Sequence, residues 1–252
     1  MWCWAIIILL IILLILLVSK KNKKIETYQN IIPQELGIYF INLDQSQDRK
    51  NKMELEFKNH KLPVQRFPAY LGKKINYNFQ NNLTQNFSVF HKRTPLYVSK
   101  KGSFGNYLSQ TSCWYDFYLH STKKYIMVME DDIYFNSNFD IIKIHRIIDS
   151  LPEGQWDMLK LFNFGKQVGP KYNRYVYQAI NDGPNRNNTG MQIYIIPRNK
   201  IPKILKEILP IQKETFDMIL KRKMDTLKVF ISYEKMVGTD HIQSDRKEND
   251  SA

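Results

Sequence analysis

The sequence predicts an α/β domain with a mostly parallel central sheet, and three observations carry that expectation. Short continuous apolar runs, among them Gly37–Leu43, Tyr125–Met129 and Met191–Ile196, have strand length and no polar alternation; strands buried on both faces read this way. Between them, segments such as Gly105–Leu119 and Asp140–Leu151 repeat their apolar residues at helical spacing, so each presents one face to the sheet. Strands and helices then alternate along the chain, the order that builds a parallel-type sheet.

Gly37–Leu43 is the first expected strand, and Asp44–His60 the helix after it, opened by Asp44 or Ser46. Val64–Tyr70 reads as a second strand. Lys73–Ser99 is rich in Asn, Gln and Lys and reads as an irregular excursion suited to acceptor-binding loops. In Gly105–Leu119, residues Tyr107, Leu108, Thr111, Trp114, Tyr115 and Tyr118 form a broad core-facing stripe. A strand at Tyr125–Met129 follows, then Asp140–Leu151 as a helix stopped by Pro152 and Gly154. Trp156–Phe162, Tyr175–Ile180, Met191–Ile196 and Leu227–Ser232 are further strands. Lys200–Leu209 and Thr215–Lys223 are helices, and Asp240–Ala252 is a polar tail.

With 252 residues the chain holds one sizeable domain. Its 43% hydrophobic content excludes a disordered chain. The net charge of +13 suits phosphates, anionic lipid or nucleic acid without choosing among them. From Trp2 to Val18 every residue is apolar, a run that as a helix would rise about 25 Å, at the lower limit for a bilayer core. Residues 1–19 are therefore expected to be an uncleaved transmembrane signal-anchor, since neither a basic leader nor a small-residue cleavage site accompanies the run. The linker 20–35 carries Lys20, Lys21, Lys23 and Lys24. The positive-inside rule places that cluster, and with it the domain 36–252, on the cytosolic side of a single-pass membrane protein. Cys3 and Cys113 leave no intradomain disulfide, in keeping with that side. The sequons at Asn82, Asn86, Asn187 and Asn249 would matter only in a lumenal domain.

The chemistry concentrates where the apolar run Tyr125–Met129 gives way to Glu130-Asp131-Asp132 and resumes at Ile133-Tyr134-Phe135. Three adjacent carboxylates repel one another unless something cationic sits among them. Hard divalent cations such as Mn²⁺ or Mg²⁺ prefer carboxylate oxygen and keep open positions for phosphate, and strand ends are where open α/β sheets bind ligands. A solvated acidic turn is the plainer alternative, but the apolar residues on both sides argue against it. No dinucleotide-binding glycine fingerprint, P-loop, zinc-protease, Cys-x-x-Cys or nucleophile-elbow motif is present. What remains is an α/β domain with an acidic metal site, a description that nucleotide-sugar transfer fits because a metal neutralises charge on the leaving diphosphate. Nucleic-acid chemistry lacks both an acid-x-Lys pair at a strand end and an aromatic-basic platform.

Six segments, from about Gly37 to Arg246, resemble glycosyltransferase family 25, the group of lipopolysaccharide-type and procollagen galactosyltransferases. They are Ile41-Asn42-Leu43 with Asp48-Arg49, Gly102-Ser103-Phe104-Gly105-Asn106-Tyr107-Leu108-Ser109-Gln110, the Glu130-Asp131-Asp132 triplet, Gly190 to Tyr194, Asp217, and Ser244-Asp245. Gln110 stands where the family usually has His. The resemblance implies a GT-A-like nucleotide-diphospho-sugar transferase domain and an Mn²⁺ (or Mg²⁺) ion. It also implies a UDP-sugar donor of galactose or glucose, transfer with inversion, and a hydroxyl acceptor on a glycan, protein or lipid-glycan, with no nucleic acid partner. Asp132, with Asp131 or Glu130, would ligate the metal. Asn42, Arg49, Gly102, Gly105 and Asp245 would bind the donor, and Asp217 would be the catalytic base. Each has a plainer alternative: Arg49 paired with Asp48 or Glu56 on a helix, Gly102 and Gly105 in a tight turn, Asp217 as a helix-start acid, Asp245 solvated. A degenerate, non-catalytic member binding a glycan or partner is the competing reading, discriminated by nucleotide release from a panel of sugar donors.

Overall fold

A computed structural model describes residues 14, 17–20, 34–74, 101–209 and 215–239. In chain order the elements are β1 (Leu36–Asn42), α1 (Gln47–Asn59), β2 (Val64–Pro68), α2 (Lys101–His120), β3 (Tyr125–Glu130), β4 (Ile133–Phe135), α3 (Ile141–Asp149) and β5 (Met158–Lys160). They continue with β6 (Val176–Gln178), β7 (Ile193–Pro197), α4 (Ile201–Ile208), α5 (Phe216–Arg222), β8 (Val229–Ser232) and β9 (Val237–Thr239).

Seven strands form one sheet in the order β2-β1-β3-β7-β5-β8-β6. β1 is parallel to β2 and β3, and β5 is parallel to β8, while β7 runs antiparallel to both β3 and β5 and β6 antiparallel to β8. Since β7 reverses the direction twice, β2, β1, β3, β5 and β8 all point one way, and the sheet is mostly parallel. Both faces are covered. Along β3, Ile126 and Val128 join one apolar cluster with Trp114, Ile204 and Phe216, whereas Met127 and Met129 join the other with Phe57 and Ile147. Successive side chains of a strand point to opposite faces, so this split makes three layers: α2, α4 and α5 on one side, α1 and α3 on the other. It also explains why β3 reads as an unbroken apolar run, all of Tyr125–Met129 being buried.

Helix starts follow local chemistry. Asp140 caps α3, its carboxylate accepting from Ile142 N. Ser46, not Asp44, is the residue before α1, and its side chain makes no capping hydrogen bond. The strand expected at Trp156–Phe162 is shorter, Met158–Lys160, and just ahead of it the buried Asp157 carboxylate accepts from the backbone of Lys228 and from Lys203. β9 was not foreseen. It pairs with β4 in a separate small ribbon, Ile133 opposite Thr239 and Tyr134 opposite Gly238, and so delivers the C-terminal part of the domain to the residues that follow the acids.

Among the described residues, no helix is long and apolar enough to cross a membrane. The expected signal-anchor and linker fall largely outside those residues. So do the sequons at Asn82, Asn86 and Asn249, most of the Lys73–Ser99 excursion, and Asp245.

Candidate active site

Glu130 closes β3, with its backbone N–H donating to Gln192 O at 2.9 Å, and Asp131 and Asp132 form the turn into β4. The three carboxylates have different surroundings. Glu130 sits in a cage of side-chain amides: Asn106 Nδ2 and Gln110 Nε2 donate to Oε1 and Gln192 Nε2 to Oε2, each at 3.2 Å. Asn106 and Gln110 are one turn apart on α2, so they share a face. The next residue of that stripe, Trp114, donates to Tyr194 Oη at 2.7 Å, and that hydroxyl donates to Gln110 Oε1. Gln110 thus accepts at one end and donates at the other, linking a buried Trp–Tyr pair to Glu130. Burial, reinforced by the charges of Asp132 and Asp131, pushes the Glu130 carboxyl up to about 8 against the opposing hydrogen bond from Asn106.

Asp131 is held from the β1 side. Asn42 Nδ2 donates to its Oδ2 at 2.6 Å and Arg49 Nη1 to its Oδ1 at 3.2 Å. Asn42 is itself fixed by Arg66 of β2, whose Nε and Nη2 donate to its side-chain and backbone oxygens at 3.0 Å. Arg49 therefore pairs with an acid 82 residues away, not with Asp48 or Glu56 on its own helix.

Asp217 lies in the first turn of α5, its Oδ1 accepting from Thr215 Oγ1 at 2.5 Å and from Met218 N at 3.0 Å. Its charge bears on Glu130 and on Lys160. Lys160 is buried in β5 with Nζ donating to Asn188 O at 2.6 Å, and desolvation lowers its ammonium to about 7 despite Asp217. The loop before β7 is tied to α5 by fully buried Lys221, which donates to Asn185 O and Oδ1 and pairs with Asp182 at 2.5 Å.

These walls enclose a cleft of about 690 Å³, lined by Arg49, Gly102, the three acids and Asp217 together with Phe164, Arg186 and Gln192. Among the described residues no ready-made cluster of three metal-ligating side chains exists.

A family profile described as glycosyltransferase family 25 (LPS biosynthesis protein) matches residues 35–220, well over half of the 252 residues. The chain belongs to glycosyltransferase family 25. Proteins named glycosyltransferase 25 family member are similar to it: one of Anopheles gambiae is 30% identical over 127 residues and one of Aedes aegypti 29% over 127. Each match covers 48% of this chain, and only 21% and 20% of the respective relative, so the chain spans about a fifth of their length. Among solved structures, a glycosyltransferase involved in the glycosylation of the major capsid of PBCV-1 has a TM-score of 0.47 at 9% identity, covering 86% of this chain and 97% of that one. The glycosyltransferase GlyE of Streptococcus pneumoniae TIGR4 has a TM-score of 0.39 at 8% identity, covering 79% of this chain and 45% of that one.

Within this family 25 domain, the cleft brings together Arg49, Gly102, Glu130, Asp131, Asp132 and Asp217. Asn42 stands behind Asp131, buried. Gly102 and Gly105 lie inside α2, not in a turn ahead of it. A Cβ on Gly105 would meet Tyr70 O at 2.5 Å and Gly72 N at 2.8 Å, so that glycine serves close packing of helix against loop. Asp245 lies outside the described residues. The reading of the sequence missed Asn106, Gln192, Arg66 and Lys160. Only the α2 pair had a signal, since Asn106 and Gln110 share a helical face with Trp114.

Proposed function

We propose that this family 25 chain transfers a hexose, galactose or glucose, from a UDP-sugar to a hydroxyl of a glycan or protein acceptor, with inversion and with the help of Mn²⁺ or Mg²⁺. The observation that carries this reading is the acidic end of β3 opening into a cleft that a separately positioned carboxylate, Asp217 of α5, also lines. The donor set suits a hard cation. Asp132, with Asp131 or Glu130, would hold the metal; both of the latter are already oriented by hydrogen bonds, Asp131 from Asn42 and Arg49 and Glu130 from the amides of Asn106, Gln110 and Gln192. When bound, the metal supplies positive charge to the leaving diphosphate. Arg49, already placed beside Asp131, adds a cationic contact on the β1 side, where the nucleotide would lie. Gln110, which stands where the family usually has His, donates to Glu130 and accepts from Tyr194; a degenerate, non-catalytic binder is the competing reading, and it predicts no nucleotide release from any sugar donor.

Asp217 takes the acceptor proton in this scheme. Its helix-start hydrogen bonds use Oδ1 and fix the carboxylate without excluding that role. The two acids separate kinetically: Asp132→Asn should abolish turnover at saturating Mn²⁺. Asp217→Asn should cut transfer by roughly 10² or more, the scale of general-base help, with nucleotide affinity retained. Normal transfer by the Asp217 variant, or parallel loss of UDP binding, would assign it to the helix start or to donor contact instead.

The apolar run Trp2–Val18 supports a membrane anchor with the domain on the cytosolic side. Retention in the membrane pellet after alkaline extraction, with the domain digested by protease added to sealed microsomes, is the expected outcome; full protection of the domain would reverse the orientation.

A further inference from the structure

The cleft extends across four strands, from the β1 side at Leu43 and Arg49, past the acids of β3 and Gln192 beside β7, to Phe164 in the loop after β5. Three strand intervals at about 4.8 Å separate its ends by roughly 14 Å, so Phe164 stands at the far end from the place where the donor's nucleotide would lie. Phe164 is 38% exposed and lines the cleft, and everything behind its ring is fixed. Its backbone bridges Thr189, with its N–H donating to Thr189 O at 2.9 Å. Asn163 Nδ2 donates to its carbonyl at 3.2 Å, and buried Phe162 meets its ring edge-on at 4.9 Å. Gly190, at φ +90°, makes room for it, since a Cβ there would meet Phe164 Cδ2 at 2.9 Å. Phe164 thus offers the cleft a partly exposed aromatic ring held by its packing and backbone contacts. Pro184 and Arg186 border the same end, and the Arg186 side chain is exposed.

We infer that Phe164 is the floor of an acceptor subsite that stacks on the ring of a pyranose, and that Arg186 at its edge takes a carboxylate or phosphate on that sugar. The C–H face of a pyranose is apolar and weakly positive, complementary to the negative face of an aromatic ring; the planar guanidinium suits an oxyanion. The inference rests on the transferase reading and narrows its acceptor to an anionic glycan.

Saturation-transfer NMR on the full chain in detergent micelles, with methyl β-galactoside, methyl β-glucuronide and a hydroxylysine peptide as probes, tests it without requiring turnover. Ring protons of both glycosides should saturate, the glucuronide binding more tightly. Phe164→Ala should weaken both on the order of tenfold, Phe164→Tyr should restore them, and Arg186→Gln should erase the preference for the glucuronide. Equal glycoside binding by wild type and Phe164→Ala, absence of saturation, or preference for the peptide would overturn the subsite. Glycoside binding without nucleotide release from any UDP-sugar would instead remove the transferase reading and leave the sugar subsite standing.

Discussion

Glu130 shows how one carboxylate in an acidic triplet acquires a different character from its neighbours. Three amide donors solvate it in place of water, while burial and two adjacent negative charges favour its protonated form. Gln110 is the hinge of that arrangement, because it connects the cage to Tyr194 and Trp114. Gln110→Leu should leave Tyr194 and Glu130 each short of a partner, costing about 1–3 kcal/mol per buried group. Gln110→His, which keeps a donor and an acceptor, should lose less. Chemical denaturation of the two variants checks this, and equal midpoints would show that the relay carries no weight. None of the cage was legible beyond α2. Asn106, Gln110 and Gln192 lie 24, 20 and 62 residues from Glu130, and nothing local in their neighbourhoods says that they meet. The acids themselves were legible because three charged residues interrupt an otherwise continuous apolar run, Tyr125–Met129 before them and Ile133–Phe135 after.

At the scale of elements, the wall of the cleft depends on α5 and the loop that precedes β7. Lys221 is fully buried and its ammonium is matched by Asp182 and Asn185. The hydrogen bond from Lys221 holds the Asp182 carboxyl down to about 2. A carboxyl depressed in the folded state stabilises the protein above its unfolded pKa of about 4, and that contribution is lost as pH falls from there through about 2. Asp182→Asn should abolish this acid-linked loss. It should also cost about 3 kcal/mol at neutral pH by leaving a buried ammonium unmatched, read as a fall in thermal midpoint of roughly 6–12 °C. An unchanged midpoint would mean that Asn185 suffices. Periodicity announced α2 and α3, whose buried stripes are made by their own sequence. β9 stayed hidden because Val237–Thr239 is three residues long, contains a glycine, and exists only through its register with β4.

For the whole molecule, the sequence order of strands and helices was enough to read an α/β domain with a mostly parallel sheet, which the strand order and directions bear out. The reversal at β7 was not legible, because a strand buried on both faces looks the same in either direction: Ile193–Pro197 is buried throughout. That reversal matters for the site, since it sets Gln192, just before β7, against Glu130, at the end of β3. The proposed activity of this arrangement is transfer from a UDP-sugar with the help of a divalent metal. Its most direct test is nucleotide release by the purified full chain from UDP-, GDP- and CMP-sugars, with Mn²⁺ supplied or chelated and an acceptor glycan present. Release of UDP alone, from UDP-galactose or UDP-glucose, abolished by chelation and restored by Mn²⁺, is the predicted result; release that ignores the chelator, or that favours a GDP- or CMP-sugar, would contradict it.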